Sequence, residues 1–405
     1  MTLPATPPPK PRTWLVLAAL LAMAAAFFAA GANRRAEWLA EPGDVAALTD
    51  GDALHYVEIA TAFAAGDLRM DWVVRRGHRQ PLYPAALAVG GALVGREPTA
   101  LTWINLALTS AAVLAAGLAC WWLFASRLAA IAAAALLATD PFLLRESQYL
   151  LTEPLFVLCV LAALALLLRA LRSGGTATAL AAASAFGLAY LTRPNGLFLF
   201  AAALAVLALD LTLRWLAVRD RPSLRRVFWV PAAAVATFLV VATPSWLPRL
   251  VYKGQPFYHA YLSNFLWVDR YETASVPGDA RYSLADYLAS HTWRDAGQRM
   301  VHGWRTVLLD VPVVEFGLVA SLLMVLGLAL ALLARRRDLW LLTLLFALQM
   351  APIAWTQLSN PTTRIPAATT LPFGVFYVAF AGRCVGRAFA ALTASRNRPR
   401  SAPAR

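Results

Sequence analysis

Residues 154–171 read PLFVLCVLAALALLLRAL, an apolar run that is interrupted only by Arg169. A run of about 20 apolar residues is long enough to cross the hydrocarbon core of a bilayer as a helix. Similar runs recur along the chain, which is 60% hydrophobic and 14% charged, with a mean hydropathy of +0.59. A soluble protein carries about 25% charged residues. The composition therefore indicates an all-α protein that crosses a membrane many times.

The positions of the apolar runs predict about ten spans. They lie at 13–32, 100–125, 128–144, 154–171, 176–191, 195–216, 227–247, 314–334, 338–357 and 366–386. A further apolar stretch at 81–95 is shorter and is interrupted by glycines, so we interpret it as a helix on the membrane surface. The first run follows a basic N-terminal segment but opens a chain of similar runs. We interpret it as a retained helix rather than a cleaved signal peptide.

The distribution of the positive charge predicts the orientation of these spans. The formal net charge is +14, and short loops rich in Lys and Arg stay on the cytoplasmic side. If 81–95 does not span and both termini are cytoplasmic, every dense basic cluster lies inside. If 81–95 spans, the basic loop at 214–226 and the arginines at 335–337 lie outside. The first arrangement is predicted, and because the basic residues lie in short loops and the tail, nucleic-acid binding is not favoured.

Two larger segments then face outward, at 33–99 and 248–313. The chain is predicted to form a single membrane domain over residues 1–386, followed by a basic, disordered cytoplasmic tail at 387–405. The second outer segment is rich in aromatic residues, which suit a membrane–water boundary or an acceptor-binding surface. The first contains a predicted amphipathic helix on the bilayer surface. Its apolar positions are Leu54, Val57, Ile59, Ala60 and Phe63.

Acidic residues stand at the start of two predicted helices on the outer side. Asp50 and Asp52 precede the amphipathic helix, where they suit either helix capping or chemistry. Thr152 and Glu153 precede Pro154 in a typical helix start, in which Thr152 is expected to cap the helix. Glu153, however, stands where an apolar helix enters the membrane, and acids at such depth are usually functional or paired.

Arginines lie on the same predicted side. Arg193 breaks an apolar hairpin, where it attracts an anionic headgroup or a nearby acid, or reaches out to the membrane surface from a simple turn. Arg364 precedes the last span, and Arg79 lies in the first outer segment. Carboxylates can deprotonate a hydroxyl nucleophile, and arginines can hold a phosphate as a leaving group. Acids and arginines on one face therefore suit transfer of a group from a lipid phosphate.

The order of these motifs resembles the GT-C superfamily of membrane glycosyltransferases. It is similar to the bacterial relatives of protein O-mannosyltransferases and aminoarabinose transferases. The resembling stretches are DGDALHYVEIA at 50–60, RQPLYP at 79–84, YLLTEPLF at 149–156, LTRPNG at 191–196 and RIP at 364–366.

The resemblance implies transfer of a sugar from a polyprenyl-phosphate donor to an acceptor hydroxyl on a lipid, glycan or protein. The family's first-loop acid, the catalytic base, matches Asp52 best, with Asp50 as the alternative, and the second-loop acid matches Glu153. Family members differ in metal use, so the resemblance is compatible both with a reaction that needs no cofactor and with a divalent cation bound by these three acids. The donor phosphate is expected to bind Arg193, Arg364 and Arg79. Further substrate contacts are expected from His55, Tyr56, Tyr83 and Tyr149.

The resemblance further implies a multi-pass protein of the bacterial inner membrane whose site faces the periplasm or exterior. The alternative function is a transporter or a flippase for lipid-linked sugars. Transporters place ionisable residues near the centre of the membrane, whereas Asp140 and Asp210 are the acids nearest to the span interiors and both lie towards a helix end. A catalytically inactive scaffold relative is a third possibility, and the retention of Asp52 and Glu153 argues against it.

Overall fold

In a computed structural model of the chain, the described residues are 13–40, 48, 51–67, 79–217, 222–257, 262–269, 282–358 and 362–396. Every regular element within them is helical. The elements are α1 (Thr13–Leu39), α2 (Gly51–Ala64), α3 (Leu82–Val94), α4 (Pro98–Phe124), α5 (Arg127–Ala138), α6 (Pro141–Glu146), α7 (Glu153–Ser173), α8 (Thr176–Thr192), α9 (Gly196–Leu216), α10 (Leu224–Lys253), α11 (Leu262–Trp267), α12 (Leu284–Ser290), α13 (Trp293–Arg305), two π-helical segments (Thr306–Asp310 and Pro312–Phe316), α14 (Gly317–Leu333), α15 (Arg337–Thr356) and α16 (Arg364–Arg396).

Among the described residues, eight helices are long and apolar enough to cross a membrane. They coincide with eight of the predicted runs, and the one that ends at Leu333 begins as early as Trp293 because α13, the π-helical segments and α14 are continuous. The other two predicted runs, 128–144 and 176–191, correspond to the shorter helices α5 and α8. The stretch at 81–95 forms α3, which is also short and packs against α2 and α4.

The last span, α16, is the most enclosed of the eight. It packs against α5, α7 and α14, and its N-terminal residue Arg364 lies at one end of the bundle, where 37% of the side chain is exposed. The peripheral helix α14 instead exposes apolar side chains such as Leu318, Val319 and Val325, as expected of a surface that faces lipid. The enclosed position of α16 is what allows Arg364 to meet residues from several other helices.

The buried face of α2 differs in part from the predicted one. The helix buries Ala53, Tyr56, Ile59 and Ala60, whereas Leu54, which was expected on the apolar face, is 38% exposed. The helix therefore turns Tyr56, rather than Leu54, towards the rest of the protein. Asp52 lies in the first turn of this helix.

Asp210 is an acid near a span end that has structural partners. Its carboxylate lies 2.8 Å from Arg214 Nε and 2.8 Å from Arg337 Nη2. Arg337 begins α15, so this ion pair ties α15 to α9. Asp140 is likewise used locally, because it accepts a hydrogen bond of 2.8 Å from the backbone of Leu143 and so caps α6. Asp210 thus joins two helices, and Asp140 caps one.

Candidate active site

Five charged residues from five separate segments meet at one end of the helical bundle. Asp52 lies in the first turn of α2, and Arg79 lies just before α3. Glu153 is the first residue of α7, Arg193 follows α8, and Arg364 is the first residue of α16. All five therefore sit at or beside helix ends, where side chains can leave the apolar bundle without being exposed to lipid.

Asp52 lies between two guanidinium groups. Its Oδ1 forms an ion pair with Arg79, and its Oδ2 lies 3.8 Å from Arg364 Nη2. Burial raises the pKa of the Asp52 carboxyl, but Arg79, Arg364 and Arg193 together outweigh burial and hold this pKa below its usual range. The side chain keeps 41% of its surface exposed. Asp52 is therefore an ionised carboxylate that is partly accessible from outside the protein.

Glu153 is almost completely buried and is paired with arginine. Its Oε1 lies 2.5 Å from Arg193 Nη1 and 3.5 Å from Arg364 Nε. Arg193 is therefore not a simple turn residue that reaches towards the membrane surface. A negative charge at the first residue of a helix is also favoured by the helix dipole. Glu153 thus fixes the position of two of the three arginines around Asp52.

The expected capping role of Thr152 is wrong. Thr152 does occupy the N-cap position of α7, but its side chain makes no capping hydrogen bond to the backbone. Its hydroxyl instead accepts a hydrogen bond of 3.1 Å from Arg193 Nη1 and donates one of 3.4 Å to Glu153 Oε2. The ion pair between Arg193 and Glu153 competes with the helix amides for the Thr152 hydroxyl. A hydrogen bond to these buried charged groups stabilises more than one to a backbone amide.

Arg364 bridges the two acids. It reaches Asp52 and Glu153 at 3.8 and 3.5 Å, distances longer than those of the ion pairs that Arg193 makes, and 37% of its side chain is exposed. Arg193, at 13%, is far less accessible. Arg364 is therefore the cation of this cluster that an incoming anion can reach with the least rearrangement.

Three of the predicted substrate-binding residues lie around Arg79. Arg79 Nη1 donates a 3.4 Å hydrogen bond to Tyr56 Oη, and its guanidinium lies 5.1 Å from the centre of the Tyr56 ring. His55 Nδ1 is 3.3 Å from Arg79 Nη2, and Tyr83 packs edge-on against Tyr56. Tyr149 packs edge-on against Trp38. Asp50, the alternative base, lies outside the described residues.

The sequence analysis missed a buried arginine next to this cluster. Arg249 is 1% exposed, and no acidic side chain in the described part of the chain pairs with it. Its Nη2 donates a 3.2 Å hydrogen bond to the backbone carbonyl of Arg79, and its Nη1 binds Ser245. The signal was an arginine about one turn before the C-terminal end of an apolar helix, although such residues more often reach towards solvent.

A second missed group lies on the other side of Glu153. Glu146, the last residue of α6, is 1% exposed, and its Oε1 lies 3.1 Å from Arg145 Nε. Arg145 Nη2 lies 2.8 Å from Oε2 of Glu315, which is also buried. Glu315 accepts a hydrogen bond from Thr363, the residue just before Arg364. The signal available in the sequence was Glu146 itself, an acid in the short segment between the predicted spans 128–144 and 154–171.

Among the residues that the structure describes, no three His, Cys, Asp or Glu side chains come close enough to hold a metal ion. Asp52 and Glu153 are bridged by Arg364, and a guanidinium between two carboxylates occupies the position that a shared cation needs. The described residues therefore do not fit a divalent ion in this arrangement. Asp50, the remaining predicted ligand, lies outside the described residues.

Comparisons with known proteins agree with this architecture. Residues 89–260 match the sequence model of the dolichyl-phosphate-mannose-protein mannosyltransferase family. ArnT from Cupriavidus metallidurans, solved with bound undecaprenyl phosphate, aligns with 95% of this chain and 64% of its own at 16% identity and a TM-score of 0.55. The fold is GT-C-like.

The GT-C-like chain thus spans less than two thirds of the length of ArnT. An oligosaccharyltransferase from Archaeoglobus fulgidus, solved with zinc and sulfate, aligns with 79% of this chain and 43% of its own, at 19% identity and a TM-score of 0.42. No curated protein sequence gives a significant match. The predicted all-α, GT-C-like fold is confirmed by the ArnT comparison.

Proposed function

We propose that this GT-C-like protein is a glycosyltransferase that moves a sugar from a polyprenyl-phosphate donor to an acceptor hydroxyl on the extracytoplasmic face of the membrane. The observation that carries the proposal is the position of Asp52, which is accessible and ionised and lies between Arg79 and Arg364. Arg364 also contacts the buried Glu153. Such a cluster offers both a proton acceptor and a binding site for a phosphate.

An apolar cavity beside the cluster suits the lipid part of such a donor. It has a volume of about 420 Å³ and lies between α2, α3, α8 and α10. Its lining includes Pro81, two residues from Arg79, and Leu191, two residues from Arg193. A phosphate held by the arginines therefore has an apolar surface next to it, which is the combination of chemistry that a prenyl phosphate requires.

In the proposed reaction, the acceptor oxygen forms a bond to the anomeric carbon while the bond from that carbon to the phosphate oxygen breaks. The electron pair of the broken bond leaves with the phosphate, which gains a negative charge. The acceptor proton passes to Asp52. Arg364 and Arg193 stabilise the developing charge on the phosphate, which is the electrostatic contribution expected of fixed cations. Direct displacement inverts the configuration of the sugar.

Donor binding also strengthens the base in this scheme. The arginines that lower the pKa of Asp52 in the free protein are the ones that bind the phosphate. A phosphate that takes part of their charge weakens their hold on the carboxylate, so the pKa of Asp52 rises towards a value better matched to proton transfer. Asp52 therefore becomes a better proton acceptor once the donor is present.

Asp52→Asn tests the proposal, because it removes the proton acceptor and keeps the shape of the side chain. We expect sugar transfer from polyprenyl-phosphate donors in reconstituted membranes to fall by about 10²–10⁴-fold. Glu97→Gln is the matched control, since Glu97 is an exposed acid of the same predicted outer segment. Full activity of Asp52→Asn would remove Asp52 as the base. Movement of donor lipid across vesicles without any transfer would favour the flippase alternative.

A further inference from the structure

One guanidinium lies between two buried carboxylates beside the proposed site. Arg145 contacts Glu146 at 3.1 Å and Glu315 at 2.8 Å, and both acids are at most 3% exposed. Arg145 itself is 45% exposed. This group, Arg145, Glu146 and Glu315, takes no part in the reaction described above.

The charges of this group do not balance. One guanidinium compensates one carboxylate, and Glu315 also accepts a hydrogen bond from Thr363. Glu146 Oε2 is buried and accepts no hydrogen bond within the described part of the chain. An ionised carboxylate in that state is costly, whereas its neutral form avoids most of the cost. The geometry therefore favours a proton on Glu146.

The charged groups around Glu146 come from four elements. Arg145 lies on its own helix, Glu153 begins α7, and Arg364 begins α16. Glu315 lies in the second π-helical segment, which packs against α6, and shares Arg145 with Glu146. Burial, and next the charge of Glu153, raise the pKa of the Glu146 carboxyl to about 7, although Arg364 and Arg145 act in the opposite direction. Glu146 thus exchanges its proton near neutral pH and responds to the charge around Arg364.

We propose that Glu146 is a positioning residue that takes up a proton when an anionic lipid phosphate binds to Arg364. This inference rests on the proposed function, because it assumes that the phosphate of a prenyl lipid is the anion. An ionised Glu146 attracts Arg364 and repels the phosphate, whereas a neutral Glu146 leaves the guanidinium available.

The proton comes from water when the lipid binds and returns to water when the lipid leaves. An added negative charge raises the pKa of Glu146 further, so the lipid-bound protein carries the proton over a pH range in which the free protein has lost it. Affinity is consequently full below the pKa of the free protein and falls as the pH rises through that range, by at most about tenfold per pH unit for one proton.

The test is binding of a polyprenyl methyl phosphate diester to the full-length protein in nanodiscs of zwitterionic lipid. The diester carries one constant charge, so its own titration does not contribute. For the unmodified protein we expect the dissociation constant to rise about tenfold between about pH 6 and about pH 8.5. Glu146→Gln should bind the diester with the low-pH affinity at every pH tested. Glu146→Asp should keep the pH dependence of the dissociation constant, and Glu97→Gln should behave as the unmodified protein.

Calorimetry of the unmodified protein in two buffers of different ionisation enthalpy provides a second measurement that needs no variant. Net proton uptake at neutral pH is expected, and its absence would overturn the role of Glu146 even if Glu146→Gln fails to fold. An unchanged pH dependence in Glu146→Gln would also overturn it. If the unmodified protein binds no diester, the proposed donor fails as well. Binding of the diester without proton uptake would contradict the role of Glu146 and leave the proposed donor in place.

Discussion

Arg193 and Arg364 carry the same charge but have different surroundings. Arg193 is only 13% exposed, binds the buried Glu153 at 2.5 Å and donates to Thr152, whereas Arg364 is 37% exposed and makes longer contacts. A buried ion pair loses far more than an exposed one when one partner is removed, because the other charge stays buried without compensation. Replacement of Arg193 is therefore expected to lower mainly the stability of the protein, and replacement of Arg364 mainly its affinity for the lipid phosphate.

Arg193→Ala should destabilise the protein by about 3–5 kcal/mol, because it leaves Glu153 buried with only the longer contact to Arg364. Arg364→Ala should leave the thermal midpoint in detergent nearly unchanged and should weaken lipid-phosphate binding at least tenfold, as removal of a charged hydrogen bond does. Thermal unfolding and lipid binding, measured on both variants, check the two expectations. Equal stability losses would contradict the distinction between the two arginines.

The residue types of the site could be predicted from the sequence, but their pairing could not. Asp52, Glu153, Arg79, Arg193 and Arg364 were all chosen from local motifs, and the structure brings them together. Which acid meets which arginine depends on how α2, α7 and α16 pack, and no local pattern contains that information. The same holds for Thr152, whose hydroxyl was expected to cap α7.

At the scale of elements, α13 and α15 approach so closely that they need a glycine. A Cβ atom on Gly303 would lie 1.7 Å from the backbone oxygen of Ala354. No small shift of a side chain can relieve a contact with backbone, so the helices must separate. Gly297, on the same helix, has nothing within 4 Å of the corresponding position.

Gly303→Ala should therefore destabilise the protein by about 1–3 kcal/mol, the usual cost of an overpacked contact. Gly297→Ala should be neutral or stabilise it by up to about 1 kcal/mol, because alanine favours the helix. Midpoints of thermal unfolding in detergent distinguish the two substitutions. A similar loss from both would mean that α13 and α15 do not pack as closely as described.

At the scale of the whole molecule, the proposal requires α12 and α13 to lie on the side of the proposed site and the C-terminal end of α16 on the opposite side. Trp293, which begins α13, is 81% exposed, and Phe389, near the end of α16, is 68% exposed. Neither side chain is covered by the rest of the protein, so both positions are suited to a test of orientation.

In a variant whose native cysteines are replaced, Trp293→Cys should react with a membrane-impermeant maleimide in intact cells. Phe389→Cys should react only after the cells are made permeable, because the positive-inside arrangement places this end in the cytoplasm. The measurement is the labelled fraction before and after permeabilisation. The reverse pattern would place Asp52 and its arginines on the cytoplasmic side and would exclude a periplasmic acceptor.

The sequence by itself determined the helical membrane architecture and the positions of most spans. A segment in lipid must satisfy its own backbone and present apolar side chains, and both requirements act on consecutive residues. The tertiary structure alone decided that Glu146 and Arg249 are buried and that Arg364 bridges Asp52 and Glu153. Those environments are made by side chains from helices that are distant in the sequence, so the charge balance of the site exists only once the helices have packed.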